Sequence, residues 1–216
     1  MLSVVIPTLN AAAILPACIG RLAGADEILV VDGGSRDATV EVARAAGARV
    51  IVAPRGRGTQ LKAGGEAARG DWLLFLHADT LLGAGWRAAV EAHQAKRPRS
   101  AACFRFRLDD DAWQARLIER GVAARVRLLG LPYGDQGLLV PRLLYEKVGG
   151  FRPLPLMEDV DLVRRLGRVR QLPVPAVTSA ARWRRDGWLR RSARNLLCLL
   201  LYGLGLPPER VALLYR

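Results

Sequence analysis

The sequence predicts an α/β protein built on a Rossmann-like, mostly parallel sheet flanked by helices. Within the first 110 residues, five short β-rich runs alternate with four alanine-rich stretches of helical length. The runs are nearly all apolar, which is typical of strands that are covered on both faces. With 216 residues, 51% of them hydrophobic, the chain can bury a sizeable core without disulfides or structural zinc.

The predicted strands of this first part are 2–6, 27–31, 49–52, 72–76 and 102–108. The predicted helices between them are 11–23, 36–47, 59–69 and 84–95. Strands separated by helices of this length form βαβ units with parallel strands. The carboxyl ends of the strands therefore share one edge of the sheet, which is where ligands of open α/β sheets bind.

After residue 110 the pattern is looser, with elements predicted at 112–129 (helix), 137–141 (strand), 158–167 (helix) and 188 to about 203 (helix). The last helix runs into an apolar stretch from Leu196 to Leu206, which is shorter than the roughly 20 residues that span a bilayer. Five arginines precede this stretch. We therefore expect a core at 1–181 and a basic and apolar helical segment at 182–216, packed on the core or on a membrane surface.

The net charge is +13, and residues 182–216 carry eight basic and only two acidic side chains. Such charge suits anionic lipid, phosphorylated small molecules or nucleic acid. No nucleic-acid motif accompanies it, so we expect no nucleic-acid partner. We do expect a weak peripheral contact with a membrane.

The three cysteines are far apart and without CxxC spacing, which argues against a zinc site or a disulfide framework. The segment MLSVVIPTLN lacks the charged region and the cleavage site of a signal peptide. We therefore expect a cytoplasmic protein that can also bind peripherally to the inner face of the membrane.

Two predicted strands end in polar loops at the ligand-binding edge. The first runs into a proline, which fits only a strand terminus or edge, and the second ends in an Asp that can accept hydrogen bonds from a base or ribose. The glycine after that Asp lets the backbone approach a ligand closely, although an ordinary Asp-Gly turn is the alternative. The candidate nucleotide-binding residues here are Pro7, Thr8, Asn10, Asp32, Gly33 and Ser35.

The third helix is preceded by Arg55-Gly56-Arg57-Gly58-Thr59-Gln60. Glycines and arginines at a helix start suit a phosphate, because free N–H groups and the helix dipole both face the anion. Arg57 and Gly58 are therefore candidate phosphate contacts, with a plain solvated loop as the alternative.

Strand 72–76 runs into His77 and Asp79, two residues apart and so on one side of the chain. An Asp here can hold Mg²⁺ or Mn²⁺ through oxygen, with the cation held in turn by a diphosphate. His77 is a second ligand, a donor to phosphate or a packed histidine.

Glu158 and Asp159 begin a predicted helix, where the dipole favours carboxylates whatever their function. A functional interpretation makes one of them a general base for a hydroxyl group. Asp135 and Gln136, in the polar loop Tyr133-Gly134-Asp135-Gln136-Gly137, are expected at the same cleft.

The motifs VVIPTLN, VVDGGSRDAT, FLHADT, YGDQG and MEDVDL, in this order, resemble an inverting family 2 glycosyltransferase with the GT-A fold. FLHADT, PLMEDVDLVRRL and the arginine-rich RWRRDGWLRRSARNLLCLLLYGLG are similar to the small bacterial subfamily associated with arsenosugar biosynthesis. The resemblance implies a metal-dependent, hexosyltransferase-like enzyme with a nucleotide-sugar donor, most often UDP-linked. The acceptor, small molecule or lipid-linked, stays open.

The resemblance also implies roles for single residues. Asp32 meets the base, beside Thr8 and Asn10, and Asp79 takes the place of the last carboxylate of the family's DxD metal motif. His77 stands where the first Asp of that motif usually is, which departs from the pattern. Asp159 falls on the family's base position, with Glu158 as the supporting carboxylate.

Residues 179–183, SAARW, resemble the QxxRW of processive synthases but lack its Gln, so single transfer is expected rather than polymerisation. Further contacts to the acceptor or diphosphate are expected from Asp135, Gln136, Arg182, Trp183 and Arg184. Two other classes compete. A nucleotidyltransferase of similar fold would release pyrophosphate, and a basic nucleic-acid-binding module would bind DNA with steep salt dependence.

Overall fold

The computed structural model describes residues 1–215, which form an eight-stranded mixed sheet flanked by helices. The strands are β1 (Leu2–Thr8), β2 (Glu27–Asp32), β3 (Arg49–Val52), β4 (Trp72–Phe75), β5 (Thr80–Leu82), β6 (Ala102–Leu108), β7 (Leu138–Pro141) and β8 (Arg170–Thr178). The helices are α1 (Leu15–Gly20), α2 (Thr39–Ala45), α3 (Arg57–Ala67), α4 (Trp86–Lys96), α5 (Trp113–Leu129), α6 (Arg142–Lys147), α7 (Glu158–Leu166), α8 (Ala181–Asp186), α9 (Trp188–Gly203) and α10 (Pro208–Tyr215). A 3₁₀ helix covers Gly134–Gln136.

The strand order across the sheet is β3-β2-β1-β4-β7-β6-β8-β5. The first four strands in that order are parallel, whereas β7 is antiparallel to both β4 and β6. The parallel half brings the carboxyl ends of β1, β2 and β4 to one edge, with Thr8 directly opposite Asp32. The pairing of β1 with β4 ends at Val5, so the missing N–H of Pro7 falls beyond that ladder.

The predicted α/β fold and its mostly parallel first half are confirmed. Each predicted strand and helix is present, with ends that differ by a few residues. Five strands and α-helices of the structure have no counterpart among the predicted ones: β5, β8, α6, α8 and α10. Strand β8 contains Pro173 and Pro175, and prolines argue against a strand in a sequence. Both lie before the ladder with β5, which begins at Ala176, so neither removes a hydrogen bond from that ladder.

The core lies on both faces of the sheet. Val4 and Ile6 of β1 belong to the cluster on one face, whereas Val5, between them, belongs to the cluster on the other. This alternation explains why the strand sequences are almost entirely apolar.

The C-terminal helices pack on α7. Cys198 and Leu199 of α9 and Val211 of α10 share a buried cluster with Met157 and Val160. Arg216, the last residue of the predicted segment 182–216, lies outside the described residues. Within residues 1–215, every helix is too short or too polar to cross a membrane.

Candidate active site

A cavity of about 450 Å³ lies at the carboxyl ends of β1 and β4. Pro7, Thr8 and Asn10 form one side of it, and Arg57 and Asp79 lie on the others. A cavity of this size at the edge of an open α/β sheet is typical of a ligand site. The structure therefore brings together the predicted residues of the first strand, the third helix and the fourth strand.

Asp32 is buried, contacts Thr8 of the cavity wall and organises the turn after β2. Its Oδ2 accepts hydrogen bonds from the backbone N–H groups of Gly34 (2.9 Å) and Ser35 (2.8 Å), and its Oδ1 accepts from the hydroxyls of Ser35 (2.5 Å) and Thr8 (3.2 Å). Burial raises the pKa of Asp32, but these hydrogen bonds outweigh it and hold the pKa below its ordinary value. Whether Asp32 also meets a base stays a prediction.

The loops after β1 and β2 are joined to each other. The backbone N–H of Asn10 donates to the Ser35 hydroxyl oxygen, and the backbone N–H of Arg36 donates to Oδ1 of Asn10, both at 2.8 Å. Asn10 has a φ of 51°, a left-handed conformation that Asn tolerates better than most residues. We call the two joined loops the rim. Pro7, Thr8 and Asn10 of the first loop line the cavity, whereas Gly33 and Ser35 of the second are not among its lining residues and brace the first loop instead.

A buried glutamine that the sequence analysis missed supports this rim. Nε2 of Gln60 donates to the backbone carbonyls of Thr8 and Val31, both at 2.8 Å. A Cβ at Gly33 would lie 3.0 Å from the Gln60 amide, so Gly33 allows the glutamine to fit under the turn. The available signal for Gln60 was its place in the first turn of α3, directly after the glycine- and arginine-rich segment.

A second, smaller cavity of about 100 Å³ adjoins the first. Both are lined by Arg57, His77, Asp79 and Arg182. Asp159 lines the second cavity, so the predicted metal carboxylate and the predicted base face one continuous cleft. Asp135 and Trp183, two of the expected contacts to the acceptor or diphosphate, also line it.

Asp159 is held in a fixed orientation at the start of α7. Its Oδ2 accepts a hydrogen bond from the backbone N–H of Gly134 (2.7 Å), and its Oδ1 accepts from that of Val160 (2.8 Å). Met157, just before the helix, has a φ of 64°, an uncommon conformation for a residue with a side chain. The two carboxylates that follow this turn have different partners, since Glu158 pairs with Arg57 and Asp159 accepts from Gly134 and Val160.

Glu158 is 1% exposed and pairs with Arg57, whose Nε donates to its Oε1. Burial raises the pKa of Glu158, and the negative charge of Asp159 adds to that shift, while Arg57 opposes it. Burial alone would lower the pKa of Arg57, but Glu158 and Asp159 raise it above its ordinary value. Arg57 therefore stays charged, and Glu158 positions it at the junction of the two cavities.

His77 is a neutral imidazole in this setting. Burial, followed by the positive charges of Arg57 and Arg182, lowers its pKa to about 3. Its Nε2 approaches Gly134 so closely that a Cβ there would lie 2.8 Å from it. His77 can therefore donate or accept one hydrogen bond in the cleft without adding charge.

The carboxylate of Asp79 is available for a ligand, because its contact with the Thr80 hydroxyl is as long as 3.5 Å. Within residues 1–215, no three His, Cys, Asp or Glu side chains are grouped closely enough to hold a metal by themselves. One open carboxylate fits a Mg²⁺-like cation that takes its other ligands from phosphate and water. The donor set thus fits a cation that binds together with a diphosphate.

The profile of the family described as Glycosyl transferase family 2 matches residues 3–153, which include the whole rim and the Asp79 loop. The chain belongs to glycosyl transferase family 2. The predicted membership of glycosyltransferase family 2 is therefore confirmed. The finer likeness to the arsenosugar-associated subfamily stays a prediction.

Relatives and solved structures agree with the family. A PGL/p-HBAD biosynthesis glycosyltransferase of Mycobacterium bovis (strain BCG / Pasteur 1173P2) is 42% identical over 93 residues, or 38% of this chain and 36% of that protein. An uncharacterized glycosyltransferase of Mycobacterium tuberculosis (strain ATCC 25618 / H37Rv) is 39% identical over 84 residues, or 38% of each protein. The matched segment thus spans little more than a third of the length of these relatives.

The crystal structure of M. tuberculosis glucosyl-3-phosphoglycerate synthase with Mn²⁺, UDP and glucosyl-3-phosphoglycerate matches with a TM-score of 0.68 and 23% identity. That match covers 96% of this chain and 81% of the other. A structure of S. aureus TarS, residues 1–349, matches with a TM-score of 0.65 and 14% identity over 99% of this chain and 70% of the other. The likeness confirms the predicted GT-A fold.

Several predicted site residues of this family 2 chain lie outside the cleft wall. A Cβ at Gly58 would lie 2.7 Å from the backbone oxygens of Arg152 and Leu154, so this glycine serves a close contact between chain segments. Gln136 is buried and donates to the backbone oxygen of Phe104 at 3.1 Å. Arg184 pairs with Asp110 at 2.7 Å on the surface instead of reaching the cleft.

The C-terminal helices supply cleft residues that the sequence analysis did not find. Asn195, Arg191 and Tyr215 line the smaller cavity beside Asp159. Arg191, 5% exposed, donates to Asp186 (2.8 Å) and to the Tyr215 hydroxyl (3.2 Å) and so ties α9 to α10. The one available signal was the polar Asn195 at the start of an apolar run.

Proposed function

We propose that this family 2 protein is an inverting glycosyltransferase that moves a hexose from a UDP-linked donor to an acceptor hydroxyl. The observation that carries the proposal is that Asp79 and Asp159 line one cavity of about 100 Å³, which adjoins the larger cavity at the ends of β1 and β4. A donor in the larger cavity would place its sugar between the two carboxylates. The solved relative that holds Mn²⁺ and UDP-glucose supports the choice of donor.

The nucleoside is assigned to the rim formed by Thr8, Asn10 and the turn at Gly33. Asp32 and Gln60 hold this rim through hydrogen bonds to its backbone, so its backbone groups are positioned before the nucleoside binds. The diphosphate then lies toward Arg57 and Arg182, which line both cavities. Positive side chains at that point suit the two phosphate charges.

A divalent cation, Mn²⁺ or Mg²⁺, is assigned to Asp79, with the diphosphate as its main ligand. Such a cation, when bound, neutralises charge on the leaving diphosphate. His77 faces the same place as a neutral group, as a direct ligand or as a hydrogen-bond partner of phosphate.

Asp159 is assigned as the general base. It removes the proton of the acceptor hydroxyl, whose oxygen attacks the anomeric carbon from the face opposite the diphosphate, so the anomeric configuration inverts. The Gly134 and Val160 N–H groups hold the carboxylate in the orientation it needs for this transfer. Glu158 stays beneath Arg57 and keeps the guanidinium directed at the leaving group.

The test is a product assay with purified protein, UDP-glucose, Mn²⁺ and a panel of alcohols. Release of UDP together with a glycoside of inverted anomeric configuration, read by NMR, supports the proposal. The competing nucleotidyltransferase would release pyrophosphate from a nucleoside triphosphate, and that result would overturn it. A retained configuration would remove Asp159 from the role of base in a single displacement.

We further propose a weak peripheral contact between the C-terminal helices and anionic lipid. The C-terminal helices expose three leucines near a segment rich in arginine. These are Leu200 on α9 (55% exposed), Leu204 just after it (85%) and Leu213 on α10 (68%). Apolar side chains beside basic ones suit the interface of an anionic membrane. Co-sedimentation with phosphatidylglycerol vesicles, weakened by salt, is the expected result, and no co-sedimentation at low salt would contradict it.

A further inference from the structure

Two apolar cavities lie next to the candidate active site, between α5 and α9. The outer one, of about 640 Å³, is lined mainly by Trp113, Leu117, Trp188 and Leu189. The inner one has a volume of about 350 Å³. Both are lined by Ile118, Gly121 and Ser192, so they adjoin, and we call the pair the α5–α9 trough.

The trough leads to the catalytic carboxylate. Tyr133, Asp135, Trp183 and Asn195 line both its inner cavity and the cavity that contains Asp159. The cavities thus form a row that begins on an open apolar surface and ends at the proposed base. A docking surface for another protein would not need this inner connection.

A polar junction separates the apolar trough from the catalytic cavity. Asp135 Oδ1, Trp183 Nε1 and Asn195 Oδ1 are buried and have no hydrogen-bond partner within residues 1–215. Trp183 as a whole is only 9% exposed. Because buried polar atoms without partners are costly, two acceptors and one donor at one place point to a polar ligand group between them.

The outer trough exposes large apolar side chains to water. Trp113, Leu117 and Leu189 are 69%, 54% and 80% exposed, and they lie together along one groove. A contiguous exposed apolar patch of this kind marks a binding surface. A small polar acceptor would leave this surface uncovered, whereas an apolar chain would cover it.

We infer that the acceptor is an amphiphilic alcohol whose apolar chain lies in the α5–α9 trough and whose polar head passes the junction to reach Asp159. The inference rests on the proposed glycosyl transfer, because it uses Asp159 as the end point of the row. It narrows the acceptor from any alcohol to one that carries a long apolar chain.

The first test measures binding of methyl, hexyl, octyl and decyl β-glucosides below their micelle concentrations. Three of the five tryptophans line the trough or its junction, so tryptophan fluorescence reports occupancy independently of turnover. Each added methylene that enters the trough is expected to lower Kd by up to about fourfold. Equal affinity for the methyl and decyl compounds would overturn the inference.

The second test blocks the trough at Gly121→Phe. Gly121 lines both cavities, and a Cβ at this helical glycine meets no heavy atom within 4 Å, so a side chain can start there without a clash. Replacing glycine inside α5 also favours the helix. In this variant the Kd for the alkyl glucosides is expected to become independent of chain length, while UDP still raises the Tm as in the wild type. Gly20→Phe, at an exposed α1 glycine that is equally free of contacts, is the matched control.

The third test uses two variants of the outer wall of the trough. Leu117→Gln and Leu189→Gln, at exposed positions, are each expected to raise the Kd for decyl glucoside by roughly tenfold or more. The control Leu143→Gln, 81% exposed on α6, is expected to leave this Kd unchanged. If the trough variants weaken vesicle binding but leave decyl glucoside unchanged, the face is a membrane contact and the acceptor assignment is wrong.

The two proposals fail in different ways. If the protein binds UDP with Mn²⁺ but has the same Kd for glucosides of every chain length, the glycosyltransferase proposal stands and the assignment of the trough as acceptor site is wrong. A protein that binds no nucleotide would overturn the glycosyl transfer, and the acceptor assignment with it, whatever the trough binds.

Discussion

The backbone N–H of Gly134 donates a hydrogen bond of 2.7 Å to Oδ2 of Asp159. The contact joins the YGDQG loop to the start of α7, 25 residues later in the chain. Since the N–H of Val160 holds Oδ1, both carboxylate oxygens have one fixed partner. Each oxygen keeps a further lone pair, so the carboxylate is oriented and can still accept a proton.

Gly134→Ala is predicted to slow transfer without unfolding the protein. The added Cβ would lie 2.8 Å from His77 Nε2, so either His77 or the loop whose N–H orients Asp159 must move. A small misplacement of a catalytic group can cost up to about 10²-fold in rate, and we expect kcat to fall at least about tenfold. Gly20→Ala, where the Cβ meets nothing within 4 Å, is the control, and equal kcat values for the two variants would contradict the prediction.

Asp135→Asn is predicted to change how stability depends on pH. Burial raises the pKa of Asp135 from 3.8 to about 6, so the folded state favours its protonated form. The stability that this group contributes is fully present below pH 3.8 and is lost as the pH rises through about 6. Relative to Asp135→Asn, the wild type should therefore lose about 2 kcal/mol of unfolding free energy over that window.

Urea unfolding of both proteins between pH 4 and pH 7 measures this difference. Asp110→Asn is a control of opposite sign, because a hydrogen bond from the Ala112 N–H, opposed by some burial and aided by Arg184, lowers the pKa of Asp110. The wild type should gain stability relative to that variant as the pH rises through the acid range. A constant difference between the wild type and Asp135→Asn would contradict the first prediction.

The parallel half of the sheet could be predicted from the sequence because its signals are local. Apolar runs buried on both faces define β1 to β4, and their carboxyl ends meet at one edge, which brings Thr8 and Asp79 to one cavity. The orientation of Asp32 could not be predicted, since it depends on hydrogen bonds from Thr8 and Ser35 that form only in the fold.

The far wall of the cleft could not be predicted because it depends on long-range packing. Asn195 and Tyr215 line the cavity that contains Asp159 because α9 and α10 pack on α7 through side chains such as Val160 and Val211. Arg184 shows the opposite error, since its position in a basic segment suggested a phosphate contact but its partner is Asp110.

Chelation of divalent cations is predicted to weaken UDP binding, and Asp79→Asn should reproduce the loss. At 100 times its Kd, a ligand stabilises the folded state by about 2.7 kcal/mol, so the Mn²⁺-dependent part of the UDP-induced rise in Tm is measurable. We expect that part to disappear with EDTA and in Asp79→Asn. Asp71→Asn is the control, because its carboxylate pairs with the amino terminus at the other end of β4. A full Mn²⁺ effect in Asp79→Asn would contradict the assignment.

Asp32→Ala is predicted to weaken UDP binding by loosening the rim. The variant loses acceptors for the N–H groups of Gly34 and Ser35 and for the hydroxyls of Ser35 and Thr8. We expect the UDP Kd to rise at least about tenfold, which corresponds to the net worth of one or two such hydrogen bonds.

Asp26→Ala is the matched control for that variant. Asp26 accepts a hydrogen bond of 2.6 Å from the Leu2 N–H and so braces the same two strands at the opposite end of the sheet. It should cost stability without changing the affinity for UDP. Unchanged UDP affinity in Asp32→Ala, measured by calorimetric titration, would refute the role of this carboxylate in the rim.

Asp161→Asn separates general damage to α7 from loss of the base. Asp161 is 7% exposed and pairs with Arg165 and Arg152, outside the cleft. Its substitution should lower the free energy of unfolding by a few kcal/mol, of about the size found for broken buried pairs, and leave the transfer rate at a temperature well below Tm nearly unchanged. It is therefore the reference for any variant at Asp159.

The central claim is tested most directly by the single-turnover rate of Asp159→Asn together with its affinity for UDP in the presence of Mn²⁺. Asparagine can still accept a hydrogen bond from Gly134 but cannot take up the proton of the acceptor. The expected result is a transfer rate lower by at least about 10²-fold, with UDP affinity changed by no more than about twofold. A variant that transfers sugar at the rate of the Asp161→Asn reference would contradict the assignment of Asp159 as the base.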